Sequence, residues 1–372
     1  MAATVEAATV EAAGSRRLPN ANPGRPPHMN GGERVHFADR LAALVDERRS
    51  QVVLGLDPDP ADLWPAAVEH GRERAQSWED AIDAAARERG IDRKGYEQRL
   101  AEQPGTNVGA SAAAEAVRQH CTLAIEAVAP ACVAAKLQLA CFERLGPYGG
   151  LTLWAVAMAA RAKGLLVIAD GKRGDIPVTA HAYAQALVGE TESPFGPIPG
   201  LGADAFTANP LLGRDSLAPL VDAAARAGAG CFLLVRTSNE GAAEIQDAVG
   251  PEGPLHERLA RIVNELGTEH LGARGLSAVG AVVGATRPDL LARFRELMPR
   301  AIFLVPGVGA QGGDVASLAP AFEPGPAAGL ITASRSIVDA HRELGGDPAA
   351  AAAAAAEELR EAAWSIAGGP SG

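Results

Sequence analysis

The chain has 372 residues, is 47% hydrophobic and carries a formal net charge of −11. That length suits one large domain or two ordinary ones, and the apolar content supports a sizeable core. No long basic run interrupts the acidic balance, which excludes the positive face of a non-specific nucleic-acid binder but leaves room for a small anion in a local positive pocket.

The first 32 residues repeat AATVE and continue into LPNANPGRPPHMNGG. They offer little to bury and are expected to be disordered. They lack the basic start and apolar centre of a secretion signal, and no apolar run approaches the roughly 20 residues of a membrane span. Cys121, Cys132, Cys141 and Cys231 form no C-x-x-C pair and have no His pair at zinc spacing; they read as small buried hydrophobes of a reducing compartment. A cytoplasmic protein without membrane or nucleic-acid partners is expected.

From His36 onward, short apolar runs alternate with amphipathic segments. Strands are predicted over 52–56, 132–137, 165–169, 203–207, 230–235, 278–283, 302–305 and 329–333. Helices are predicted over 112–129, 151–163, 178–188, 216–227, 255–271 and 288–297, with a closing helix after Pro348 that packs Trp364 back on the body. Continuously apolar strands separated by helices imply a parallel sheet covered on both faces. Eight of them predict an α/β chain folded as a closed (β/α)8 TIM barrel over residues 33–372. An open doubly wound sheet is the alternative, weakened because no G-x-G-x-x-G follows the first strand. The stretch from 64 to about 111, charged and partly helical, breaks the rhythm and is expected to be an insertion, beside the mouth of the site or on a dimer surface.

A barrel of this kind carries its site at the C-terminal ends of the strands. Polar residues gather there: Asp57 after the first strand, Lys136 within the second, Asp170 and Lys172 at the end of the third, Arg236-Thr237-Ser238-Asn239 after the fifth, then PGVGAQGGD and ASRSI after the last two. Asp170 and Lys172, two apart, fall on one face of an extended chain. Lys136 lies in an apolar strand and needs an acid, for which Asp170 is the partner. Asp175, ahead of Ile176-Pro177 and a helix, also carries an N-cap signature. Pro306 to Asp314 and Thr332 to Ser336, the latter with the Arg335 fork, suggest a phosphate site.

These stretches resemble the orotidine 5'-phosphate decarboxylase family. LGLDPDP, AAKLQLACFE, ADGKRGDIPVTAHAYA, VRTSNEGA, VPGVGAQGGD and ITASRSIV follow its order from 52 to 338, and TSNEGA and VVGATRPD are similar to the longer bacterial branch. The resemblance implies a cofactor-free and metal-free lyase that makes UMP, with Lys172 as proton donor in a charged network with Asp170 and Lys136. It implies a homodimer with shared sites, to which Asp175 and the ribose contact Thr179 come from the neighbouring subunit, and it places Ile176 as an apolar contact near the base. Asp57 is implied near the ribose, Ser238 at the pyrimidine, and Gln311 with Arg335 at the phosphate of a pyrimidine nucleotide. Two rivals remain. Magnesium-using sugar-phosphate decarboxylases and aldolases share an Asp-x-Lys-x-x-Asp element whose last Asp helps bind the metal. A degenerate barrel that merely binds a nucleotide is the other, although no charged member of the set is missing.

Overall fold

Eight strands pair in parallel, in chain order, and close on themselves in a computed structural model that describes residues 29–30, 33–101, 107–309 and 312–368. They are β1 (Val52–Leu56), β2 (Ala134–Gln138), β3 (Leu166–Arg173), β4 (Ala205–Ala208), β5 (Gly230–Arg236), β6 (Val279–Val283), β7 (Phe303–Pro306) and β8 (Gly329–Ala333). The pairing of β8 with β1, Ile331 opposite Val52 and Ala333 opposite Leu54, completes the barrel and removes the open-sheet alternative.

Alternation along the strands builds two cores. Val52, Leu54 and Leu56 point out against the helices, as do Ala135, Leu137, Val167 and Phe206. Val53, Ala134, Ile168, Ala205 and Phe232 point in. The floor is closed by α1 (Phe37–Arg48), which buries Phe37, Leu41 and Val45 into that inner cluster. Phe37 meets Phe232 edge-on at 5.9 Å, over Gly230, where any Cβ would lie 2.5 Å from the Phe37 ring. Because side chains two apart share a face, each inward row rises from an apolar residue at the floor to the next residue at the rim. Ala134 is thus followed by Lys136, Ile168 by Asp170, and Ala205 by Thr207.

The stretch read as an insertion is helical: α2 (Pro65–Glu88) and α3 (Arg93–Ala101) precede α4 (Val108–Val128). α2 lies along α4, where Gly71 lets the backbones approach; a Cβ there would sit 2.8 Å from that of Ala116. His70 contacts Glu115 at 2.8 Å across this pair. None of the residues lining the cavity described below comes from α2 or α3. Beyond α4 the outer helices are α5 (Gly149–Ala162), α6 (Pro177–Leu187), α7 (Arg214–Ala227), α8 (Leu255–Gly267), α9 (Leu291–Leu297) and α10 (Pro348–Ile366). Trp364 on α10 packs against the inner cluster, with the Arg49 guanidinium over its ring.

Two expectations need correction. Met29–Asn30 pairs antiparallel with Glu33–Arg34, so the expected disorder does not hold for those two residues, while the rest of 1–32 lies outside the described residues. Asp175 is not the N-cap of α6. Pro177 opens that helix, the cap position falls on Ile176, and the Asp175 carboxylate accepts the neighbouring Ile176 N–H at 2.7 Å rather than an N–H of the helix's first turn.

Candidate active site

A cavity of about 480 Å³ opens at the C-terminal ends of the strands, with Leu234, Val282 and Leu304 toward the barrel axis. Its charged lining is Lys136, Lys172 and Arg335 against Asp57 and Asp170, a locally cationic pocket in an acidic protein. Asp170 stands at the centre of the charges. Its Oδ2 accepts from Lys136 Nζ at 2.6 Å. Its Oδ1 accepts from Lys172 Nζ at 2.8 Å and from Thr207 Oγ1 at 2.8 Å. Lys136 Nζ also lies 4.0 Å from Asp57.

Lys136 and Asp170 are buried, at 7% and 5% exposure, whereas the Lys172 side chain is 43% exposed. A buried ion pair survives desolvation only when its hydrogen-bonding capacity is filled, and here the carboxylate receives three strong donors. Burial works against the Asp170 carboxylate, but the Lys136 and Lys172 ammoniums outweigh it and hold the pKa at about 2. Burial works against the Lys136 ammonium too; Asp170 and then Asp57 outweigh it and hold its pKa above the ordinary value. Lys136 therefore stays an ammonium and Asp170 a carboxylate throughout the neutral range, leaving Lys172 as the cation of the trio most open to the cavity.

The third strand does not present its charges by simple alternation. β3 pairs with β4 through Ala169–Phe206, loses register, and resumes only at Arg173–Ala208. Within that break Lys172 adopts a left-handed φ of 48°, which costs a residue with a Cβ roughly 1–2 kcal/mol. Such conformations persist where the surroundings over-determine them and cluster at functional sites. The period-2 reading places Asp170 and Lys172 together correctly, but a bulge is what turns Lys172 back onto the carboxylate.

On the facing wall, Thr237, Ser238 and Asn239 follow β5. This turn is held from behind. Arg236 forks onto the Asp247 carboxylate at 2.7 and 3.1 Å, and Gln246 accepts from Thr237 N at 2.7 Å. Beyond β7 and β8 the lining continues through Gly307, Val308, Ser334 and Arg335. Gly307 and Gly309, with φ of 99° and 72°, shape the first of these loops. Ser334 Oγ donates to Asp57 at 2.7 Å across the β8–β1 seam. Arg335 starts the short helix Arg335–Val338, whose last carbonyl accepts from Trp64 Nε1 at 3.0 Å.

Of the residues singled out from sequence, Lys136, Asp170, Lys172, Asp57, Ser238 and Arg335 meet in this one cavity. Asp175, Ile176 and Thr179 are not among its lining, and Gln311 lies outside the described residues. Sequence reasoning missed Gln138, Thr207 and Gln246, and reached Ser334 only as part of the Thr332 to Ser336 stretch. Gln138 and Thr207 follow an inward residue by two, so extending the alternation one step further finds them. With its amide turned to suit its neighbours, Gln138 donates to the Asp170 carbonyl and accepts from Lys172 Nζ at 3.2 Å. Gln246 carries no such signal, because it reaches the site through a fold-back held by its own bonds to Thr237 and by the Arg236–Asp247 pair.

A family model described as "Orotidine 5'-phosphate decarboxylase / HUMPS family" matches residues 77–355. The chain belongs to this family. A relative named orotidine 5'-phosphate decarboxylase from Rhodopirellula baltica is 44% identical over 229 residues, 62% of this chain and 75% of that one. Another of that name, from Caldicellulosiruptor bescii, is 36% identical over 308 residues, 83% of this chain and 91% of that one. Among solved structures, the Leishmania donovani OMP decarboxylase superposes with a TM-score of 0.59 at 27% identity, covering 88% of this chain and 99% of that one.

Proposed function

We propose that this chain is the lyase that converts orotidine 5'-phosphate to UMP and carbon dioxide in pyrimidine biosynthesis, acting in the cytoplasm. The observation that carries the reading is the Lys136–Asp170–Lys172 alternation at the barrel rim. Breaking the bond between the carboxyl group and carbon six of the pyrimidine leaves the electron pair in an sp2 orbital with little delocalisation. The protein must meet that charge with groups already in place. In this reading the Lys172 ammonium faces the developing carbanion and gives it a proton, and the neutral amine is reprotonated from water. Asp170 holds Lys172 in place, and Lys136 keeps Asp170 ionised. Ser238 contacts the pyrimidine, Asp57 the ribose, and Arg335 with Gln311 the phosphate. Binding energy from that remote phosphate is then available to close the site and exclude water.

The magnesium-using rival needs free carboxylate oxygens. Both Asp170 oxygens are occupied by ammonium and hydroxyl donors, and Asp175 is not in the cavity lining. Among the described residues, no group of three or more His, Cys, Asp or Glu is placed to hold a metal. The deciding assay follows the ultraviolet change of orotidine 5'-phosphate with purified protein in EDTA. Undiminished turnover is expected; activity that appears only on adding magnesium would favour the rival.

The reading includes a homodimer with shared sites. Asp175, Ile176 and Thr179 lie on the β3–α6 connection and the first turn of α6, away from their own cavity. Ile176 and Val178 are 58% and 81% exposed there. Asn209 N–H donates to the Arg173 carbonyl at 2.8 Å, so the exposed Leu211 and Leu212 begin beside the same connection. An apolar surface of this kind favours a second copy.

Gly55 supplies a test of the ribose end. A Cβ there would lie 2.1 Å from Ser334 Oγ. Gly55→Ala is expected to push Ser334 off Asp57, weakening UMP binding several-fold and costing about 1–3 kcal/mol of stability by overpacking. Titration with UMP and a melting curve check it. Unchanged affinity would remove Asp57 and Ser334 from the binding site.

A further inference from the structure

We propose that the Thr207 hydroxyl is a positioning group for this reaction, one oxygen that fixes both the Asp170 carboxylate and the backbone of Lys172 and so aims the Lys172 ammonium. The inference rests on the decarboxylase reading and adds a residue that the sequence motifs do not contain. Thr207 is 1% exposed, on the inward row of β4. Its Oγ1 donates to Asp170 Oδ1 at 2.8 Å and accepts from Lys172 N at 2.9 Å. A hydroxyl has a single proton. With the amide supplying the hydrogen of one bond, that proton is committed to the carboxylate, and the direction of both bonds is settled.

The backbone explains why a side chain is needed here. Between Ala169–Phe206 and Arg173–Ala208 the β3–β4 ladder is out of register, and Lys172 sits at φ 48° inside the gap. The Lys172 N–H is given to the Thr207 hydroxyl in place of a ladder carbonyl. One side chain thereby secures the left-handed turn and, through Asp170 Oδ1, the oxygen that also receives Lys172 Nζ. The Lys172 side chain is half-exposed, so beyond the Gln138 amide its aim depends on these two anchors.

Thr207→Val keeps the β-branched shape and removes both hydrogen bonds, whereas Thr207→Ser keeps the hydroxyl and loses a methyl. Misplacing a reacting group by about an ångström can cost on the order of a hundredfold. The expected result is a kcat for the Val variant reduced about 30-fold, with KM and UMP affinity within about threefold of the parent, and a Ser variant within a few-fold of the parent. A purely structural role would lower melting temperature and UMP affinity together and would not be rescued by Ser. Thr207→Ala, which removes both bonds without requiring a fit, is measured alongside in case the Val chain does not fold. A kcat for Val and Ala within twofold of the parent, a loss confined to KM, or a Ser variant no better than Val would overturn the proposal. The parent enzyme is assayed in parallel: its inactivity would overturn the decarboxylase reading itself, whereas an active parent with indifferent variants would overturn only the role of Thr207.

Discussion

Lys172→Ala is expected to bind UMP and to lose nearly all turnover. Removing one preorganised group that meets developing charge typically costs 10²–10³ in rate, and this lysine is assigned both the charge stabilisation and the proton, so a loss above about 10³-fold, roughly 4 kcal/mol, is expected. The fold should tolerate the change. Lys172 is 43% exposed in its side chain, and Asp170 keeps Lys136 at 2.6 Å and Thr207 at 2.8 Å, with water able to take the vacated side. Lys136→Ala makes the contrast. It leaves a buried carboxylate without its closest partner, a change of the kind that costs about 3–5 kcal/mol in stability. Its melting temperature should therefore drop where that of Lys172→Ala does not. Single-turnover assays with UMP binding measured on the same samples check both. Turnover of Lys172→Ala within about tenfold of the parent would refute its assigned role.

How much of this was legible in the sequence varied with the physical source of each feature. β1 and β8 were read at their observed bounds because they are continuously apolar strands ending at a polar break. β3 was read four residues short: Asp170, Gly171, Lys172 and Arg173 look like a turn, yet they extend the strand through a bulge that depends on β4. Lys136 was legible because a lysine amid apolar neighbours demands an acid. Thr207 was not, because a threonine near the end of a strand is ordinary in composition and becomes special only through Asp170 and the Lys172 amide. The Asp175 cap failed for a local reason, since Pro177 places the helix start one residue too late for that carboxylate to serve it. α2 and α3 were legible as a charged, partly helical insertion but not as full helices, because their apolar face is narrow, with Ala67, Gly71, Ile82 and Ala86 as the buried positions of α2. What α2 covers is α4 rather than the barrel, and α3 packs on α2, tertiary facts absent from the local pattern.

Asp175 is where the proposed reading is most exposed to test, because it is not in the lining of its own cavity and the proposal has it act in a second subunit's site. Among the described residues its hydrogen bond is to the adjacent Ile176 N–H, local and solvent-facing, so Asp175→Asn should leave the melting temperature unchanged. If the carboxylate completes a neighbouring site, the same substitution should nevertheless abolish most turnover. Mixing Asp175→Asn chains with Lys172→Ala chains then separates a shared site from a private one. In a hybrid dimer of the shared kind, one site has both substitutions and the other has neither. Equal mixing with free exchange makes half the dimers hybrids, so recovery should approach about a quarter of parental activity. In a private arrangement every site keeps one lesion, and the mixture stays as inactive as its components. The measurement needs one control, that the two chains exchange subunits, which differently tagged chains and co-purification provide. Recovery would place the β3–α6 connection at a dimer seam and account for the exposed Ile176 and Val178 as interface rather than surface. Exchange without recovery would return Asp175 to its own subunit and leave that apolar edge unexplained.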